Sequence, residues 1–380
     1  MERFQLFFST FFLSFAAIAL SMHNDDQIFP QLLNHEKIRP IIIGYLPELT
    51  ENGHDAAPQV RLKAITALAD GSFAAANNAV YVYTRPLFST PLKPFYSSDY
   101  QIEALLELPK KKLAVSLSNY NSKTLKIDTV PRIDIVDMTK QGSVEACLKD
   151  NNHTSNAVCS ISHMALLSDK RLICASCAGI TAWNLLTKKA ESLKVFKSCT
   201  AVQALVALPD GAIAYVCDTV IHIIDSKKNN ALFSVPTKTG HCSGITRLPD
   251  GKLLSTTHSW SKGQTLAFTI FDNKTKKEQS LFVPDVKGEW PYGPGADKVL
   301  ALDKDRILAF RGGLIKMWNI KDKNPKPLVI PVTLDAEDDR IDSVTMLQGG
   351  DLVIVDSKGK ITIQPLSKKL VQQKSECSIQ

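Results

Sequence analysis

Short segments in which apolar and polar positions alternate recur along most of this chain. One version reads apolar, any residue, apolar, then usually a large residue and a small or polar one. It appears as VYVYT at Val80, IDIVD at Ile133, ITAWN at Ile180, IHIID at Ile221, FTIFD at Phe268, IKMWN at Ile315 and ITIQP at Ile361. Period-two alternation predicts a strand with one buried face. Ahead of each lies a pair of apolar runs joined by turn residues. LPDG at Leu208–Gly211 and at Leu248–Gly251 is the clearest joint. Proline presets φ, aspartate caps the turn, and glycine accepts φ > 0. Weaker joints centre on Asp70, Lys110, Asp169, Lys304 and Gly349. Seven copies result, each predicting strand, tight turn, strand, loop, strand and a Lys/Asn-rich turn. No helical period of 3.6 is sustained anywhere.

The third-strand segments start 41 to 47 residues apart, with one gap of 53. A period in the forties with several short strands per unit predicts an all-β, seven-bladed β-propeller. Trp183-Asn184 and Trp318-Asn319 each follow an apolar strand, Asp225 and Asp272 end the equivalent strands, and Gly240-His241 precedes the Leu248 turn. On these residues the stretch from Arg61 to Leu366 resembles the WD40 repeat family. The resemblance is degenerate: Tyr83, Val136, Ile224, Phe271 and Ile363 stand at the tryptophan position of the other copies. It implies that the a–b and c–d turns of every blade share one face of the disc, and that the b–c and d–a loops share the other. It further implies a protein-interaction scaffold without catalysis or cofactor.

The seventh copy ends with three strands, and RPIIIGYLPEL at Arg39–Leu49 is an orphan strand before the first. The expected arrangement is ring closure, with Ile41–Ile43 as the outer strand of the last blade, which leaves no ring end unpaired. The propeller then spans residues 39–367, behind a leader at 22–38 and ahead of a polar tail at 368–380. Residues 1–21 carry one arginine, an apolar stretch from Phe4 to Leu20 and an Ala17-Ile18-Ala19 cleavage pattern. That reads as a secretory signal peptide, and an uncleaved membrane anchor is the alternative. The expected localisation is secreted or periplasmic.

Composition narrows the partners. Net charge is +7 over 380 residues, and the basic residues are 35 lysines against 10 arginines. Arginine is the bidentate reader of phosphate and bases, so a specific nucleic-acid reader is not expected. The repeat gathers Lys188, Lys189, Lys227, Lys228, Lys276, Lys277, Lys321 and Lys323 in c–d turns on one face. That face is a candidate for an acidic surface or anionic lipid, against the plainer reading of solvated turns. The other face carries the long insertions, with His258, Trp260, Trp290, Tyr292 and, near Asp335, Arg340. Aromatic loops on a rigid scaffold are where partners dock. A monomer that binds protein partners is the expectation.

Cys159 and Cys177 flank one a–b turn, and Cys199 and Cys217 flank the next, each pair 18 residues apart. In an exported chain these are candidate cross-strand disulfides; inherited buried thiols are the alternative. Cys174-Ala175-Ser176-Cys177 sits on an alternating strand, so its thiols point to opposite faces, and no zinc site is expected. Asn152-His153-Thr154 and Asn273-Lys274-Thr275 match the N-glycosylation pattern. There is no G-x-S-x-G, H-E-x-x-H or P-loop motif. Two alternatives remain: a lactonase- or quinoprotein-like propeller enzyme with a metal or cofactor at the channel mouth, and a secreted bacterial protein acting on a host partner.

Overall fold

The computed structural model describes residues 64–77, 79–84, 94–121, 126–127, 130, 132–149, 160–176, 179–193, 202–217, 220–236, 241–259, 265–272, 275, 277–283, 298–322, 327–332, 334 and 340–366. They form seven separate antiparallel sheets that follow one another along the chain. Blades 1 to 7 cover residues 64–97, 100–149, 161–193, 202–236, 241–283, 298–330 and 341–365. Within each blade the strands run in sequence order, a to d from the axis outward. Blade 2 adds a short strand, Lys126–Ile127, within its b–c insertion. In blade 7 three strands are described, and the closing strand expected at Ile41–Ile43 lies outside the described residues.

A single sheet this small cannot bury its apolar side chains alone, so each blade leans on two neighbours. The core is accordingly divided into seven clusters, one at each junction between consecutive blades. The last joins Phe73, Ala75 and Tyr83 of blade 1 to Leu347, Val353, Val355 and Ile363 of blade 7. The Phe73 and Tyr83 rings stack there at 4.6 Å. Blade 1 thus packs on blade 7, and the seven sheets form one closed β-propeller.

The a–b turn is built alike around the ring. A leucine stands at its start in all seven blades: Leu68, Leu108, Leu167, Leu208, Leu248, Leu302 and Leu347. Six of them are at most 3% exposed, and burying a leucine is worth about 1.5–3 kcal/mol. In blades 1, 3, 4, 5 and 7 the leucine N–H donates to the carbonyl four residues on, and its own carbonyl accepts from the residue three on. The position three on adopts φ between +68° and +89°, as Gly71, Lys170, Gly211, Gly251 and Gly350. Of these five only Lys170 pays the Cβ cost of that conformation. Lys170→Gly is therefore expected to raise stability by about 0.5–1 kcal/mol, read as a higher urea midpoint, whereas Gly211→Lys should lower it similarly. Equal midpoints for both variants and the parent would count against this reading of the turn.

Two sequence expectations are corrected. Strands expected to bury one face bury both, because every sheet is sandwiched. In blade 4, Ile213, Tyr215 and Cys217 face blade 3, while Ala212, Ala214 and Val216 face blade 5. The polar residue inside the third-strand pattern is therefore interior in several blades: Asp134, Thr181, His222 and Lys316 are 0–6% exposed. The second correction concerns blade 7. Trp183, Ile224, Phe271 and Trp318 each pair with the residue just inside the second strand, and the matching partner of Leu352 is Gln364, not Ile363. Ile363 faces blade 1 instead, and Gln364 donates to the Pro331 carbonyl at 2.9 Å.

Candidate functional site: the channel mouth

Hydrogen bonds sort the turns into two faces. The a–b turn of blade 3 meets the c–d turn of blade 4, where Arg171 donates to the Ser226 carbonyl at 2.8 Å and to its Oγ at 2.7 Å. Ser226 Oγ in turn donates to the Gly211 carbonyl at 2.5 Å. At the other end, the Ser357 N–H in the b–c turn of blade 7 donates to the Arg340 carbonyl at 2.7 Å. The Ile341 N–H reaches back to the Gly312 carbonyl in the b–c turn of blade 6 at 2.6 Å.

On the first face, Lys188, Lys189, Lys227, Lys228, Lys277 and Lys321 are exposed; Lys276 and Lys323 lie outside the described residues. Carboxylates are interleaved among these lysines. Lys321 pairs with Asp305 at 2.8 Å, Lys252 with Asp250 at 2.8 Å, and Lys112 with Glu145 at 2.5 Å. The aspartates and asparagines are there for the turns. Asn184 Oδ1 accepts the N–H groups of Leu186 and Thr187, Asp225 those of Lys227 and Lys228, and Asn319 that of Lys321. The Lys228 and Lys227 N–H groups hold the Asp225 carboxyl below its ordinary range. The position carrying the family resemblance is thus a turn cap, and it brings negative charge into the basic face.

Trp260, Trp290 and Tyr292, expected on the opposite face, lie outside the described residues, and for His258 only the backbone, in a blade 5 strand, is described. Arg340 is exposed and pairs with Asp342 at 3.4 Å. Cys217 is disulfide-bonded; Cys159, Cys177 and Cys199 lie outside the described residues. Cys147, Cys174 and Cys242 are in no disulfide. Among the described residues no group of three or more His, Cys, Asp or Glu is placed to hold a metal ion.

The seven inner strands line the axis, and counting back from the turn leucine exposes a feature that periodicity along one strand hides. Six residues before it stand Ile102, Ile161, Val202, Cys242 and Ile341, all at most 7% exposed. Five residues before it the register slips in these same five blades, giving a ring of β-bulges. The extra residues are Glu103, Ser162, Gln203, Ser243 and Asp342. A bulge bends its strand and re-aims a side chain, and bulges gather at barrel rims and beside sites. Glu103 and Asp342 are half-buried and Ser162 and Gln203 exposed, so four of the bulges place polar residues on the inner strands at their loop-rich ends. The signal was present in the sequence as a column that is polar in every one of these blades, but it appears only when copies are aligned on the leucine.

One residue deeper, the ring is Ala64, Ala104, His163, Ala204, Gly244, Lys298 and Ser343. His163 Nδ1 lies 2.8 Å from Ser162 Oγ. Burial first, and then the Lys298 charge, push the His163 imidazole down to about 4.

No protein-family model matches this chain, and no curated protein matches it. Among solved structures it is similar to the WD40 β-propeller domain of Doa1, at 13% identity and a TM-score of 0.61. It is likewise similar to a chain of the Mitotic Checkpoint Complex, at 14% identity and 0.60. Each likeness spans 84% of this chain and 96% of the other. The structure is a seven-bladed propeller of the WD40 type.

Proposed function

We propose that this chain is an exported, non-catalytic propeller that binds a protein partner through its loop-rich face. The observation that carries the reading is the match over 84% of the chain to WD40 propeller domains, one of them from a multi-protein complex. The loop-rich face is preferred because the bulge ring and Arg340 lie there and the repeat predicts the long insertions there, whereas the turn-rich face mixes both charges. The disulfide at Cys217 and the apolar stretch Phe4–Leu20 favour export, since disulfides persist outside reducing compartments. Cys199 is the proposed partner of Cys217. The Trp260, Trp290 and Tyr292 side chains, with His258 and Arg340, are the proposed contacts, since large rigid aromatics dominate interface energetics.

The test follows the tagged full-length chain. It should reach the medium or periplasm, cleaved near residue 21, and retain a partner through affinity capture. Trp260→Ala and Trp290→Ala should each weaken that capture at least tenfold, and the double change Lys188→Ala/Lys189→Ala should leave it within twofold. Retention that survives both tryptophan changes removes the proposed surface; a chain that stays uncleaved in the cytoplasm removes export.

A further inference from the structure

The register of blade 5 sets His241 of the first strand directly opposite His258 of the second. The whole chain holds eight histidines, and two of them share this one register pair. Directly opposed residues on antiparallel strands stand on the same face, with Cβ atoms about 4.5–5.5 Å apart. Neighbouring rows fix which face that is. Cys242, next to His241, is buried in the junction with blade 4. Two residues before His258, Thr256 lies on the other side: a Cβ on Gly244 would meet Thr256 Oγ1 at 3.3 Å and Val299 Cγ1 of blade 6 at 3.5 Å. Successive strand residues alternate, so the histidine row belongs to the blade 6 side of the sheet. It is also the last paired row of these two strands at their loop-rich end. Counted from the turn leucine, the equivalent row of blade 7 is Arg340 and Ser357. There the Ser357 N–H donates to the Arg340 carbonyl at 2.7 Å, and Arg340 is exposed. Packing therefore does not call for histidine in this row.

We infer that His241 and His258 together bind a divalent transition-metal ion of the nitrogen-preferring class: nickel, copper or zinc. Neutral imidazole is the commonest protein ligand for such ions. Each ring nitrogen sits about 2.0–2.1 Å from a bound zinc, a reach that two histidines opposed across one row can supply to a single ion. The flanking residues decide the class. Thr257 and Ser259 stand on either side of His258, and Leu266 pairs with it on the third strand. None of these is a carboxylate, and the blade 6 strands at this end begin with Lys298 and finish with Arg311. Calcium and magnesium take several oxygen ligands, carboxylates above all, so this row does not suit them. Two protein ligands leave the other positions to water or an added donor, which makes the site open rather than structural. It does not depend on the proposed partner surface, because the ion is titrated with no partner present.

Calorimetric titration of zinc chloride into the untagged full chain, first stripped with a chelator, should show one ion bound per chain. Magnesium chloride should show none. His241→Gln and His258→Gln should each weaken zinc binding at least tenfold. The double variant should bind no more weakly than either single one, because a chelate is lost when one arm goes, and such coupled losses do not add. His153→Gln should leave binding within twofold of the parent. So should Cys147→Ser, which removes the exposed thiol among the described residues. Zinc should also raise the thermal midpoint of the parent by binding the folded state, and should not raise that of either histidine variant. If His241→Gln does not fold, His258→Gln decides alone, since the chelate needs both. A parent that binds no zinc, or binds magnesium equally, overturns the inference. So does zinc affinity within twofold of the parent in either histidine variant, or its loss on changing Cys147.

Discussion

Asp134→Ala is expected to destabilise the propeller by about 3 kcal/mol or more, a large fraction of what holds a domain folded. Asp134 lies on the third strand of blade 2 and is fully buried. Its carboxylate takes the Arg132 guanidinium on both oxygens, at 2.9 and 2.5 Å, and the Tyr96 hydroxyl at 2.6 Å. Tyr96 belongs to the outermost strand of blade 1, so the cluster ties two blades together. The Arg132 guanidinium also sits 5.5 Å from the Tyr100 ring. Removing the carboxylate strands an arginine and a buried hydroxyl. The Arg132 side chain keeps about a third of its surface in water, which holds the cost toward the lower end for a broken buried pair. Tyr96→Phe, which leaves the ion pair, should cost only about 1–2 kcal/mol. Replacing the pair together, as Arg132→Met with Asp134→Leu, should recover most of the loss. Urea midpoints of the four proteins decide it, and an Asp134→Ala midpoint equal to the parent's would sink the idea.

The same cluster sets an acid limit. Burial alone would raise the Asp134 carboxyl, but the Arg132 and Tyr96 hydrogen bonds outweigh it and hold the group below the ordinary range. The folded protein therefore binds this proton less readily than the unfolded chain. The stabilisation is fully present above about pH 5 and fades as pH falls through the unfolded midpoint near 4 toward the lower folded one. Asp169 and Asp303 behave alike: partial burial works upward and is outweighed by hydrogen bonds from Arg171 and Arg306. Asp134→Asn should flatten the loss of stability between about pH 5 and 3 relative to the parent.

These interior charges show why the blade count was legible and the chemistry was not. LPDG and the third-strand segments carry the period, because turn chemistry and alternation are local and survive divergence. Asp134, His222 and Lys316 look like solvent positions in the same alternation. They are interior because a neighbouring blade, far away in sequence, covers the second face. The bulge ring was hidden for a related reason. Ser162 and Gln203 are unremarkable residues until the turn leucines bring their columns together. Ile363 was misplaced because ITIQP offers an isoleucine one step from the tryptophan position, and only pairing with Leu352 shows that Gln364 holds it. The candidate partner contacts rested on long insertions, where no repeat constrains the backbone.

Trp318→Ala should cost about 3–5 kcal/mol, whereas Trp318→Phe should cost under about 1.5 kcal/mol. Trp318 is 2% exposed and fills the junction of blades 5 and 6 with Leu254, Ile270, Val299 and Ile307. The Phe268 ring meets it edge-on at 5.0 Å. Alanine would leave a cavity that rigid strands on both sides are poorly placed to close. Phenylalanine loses area too, but it also removes a liability. Trp318 Nε1 is buried and has no hydrogen-bond partner among the described residues. An unsatisfied buried donor costs about 1–3 kcal/mol, so losing it offsets much of the smaller ring's deficit. The indole therefore serves this junction as apolar volume, and its N–H adds nothing to it. Urea midpoints separate the cases: a phenylalanine variant as unstable as the alanine one would mean that the N–H is engaged and that the junction depends on it.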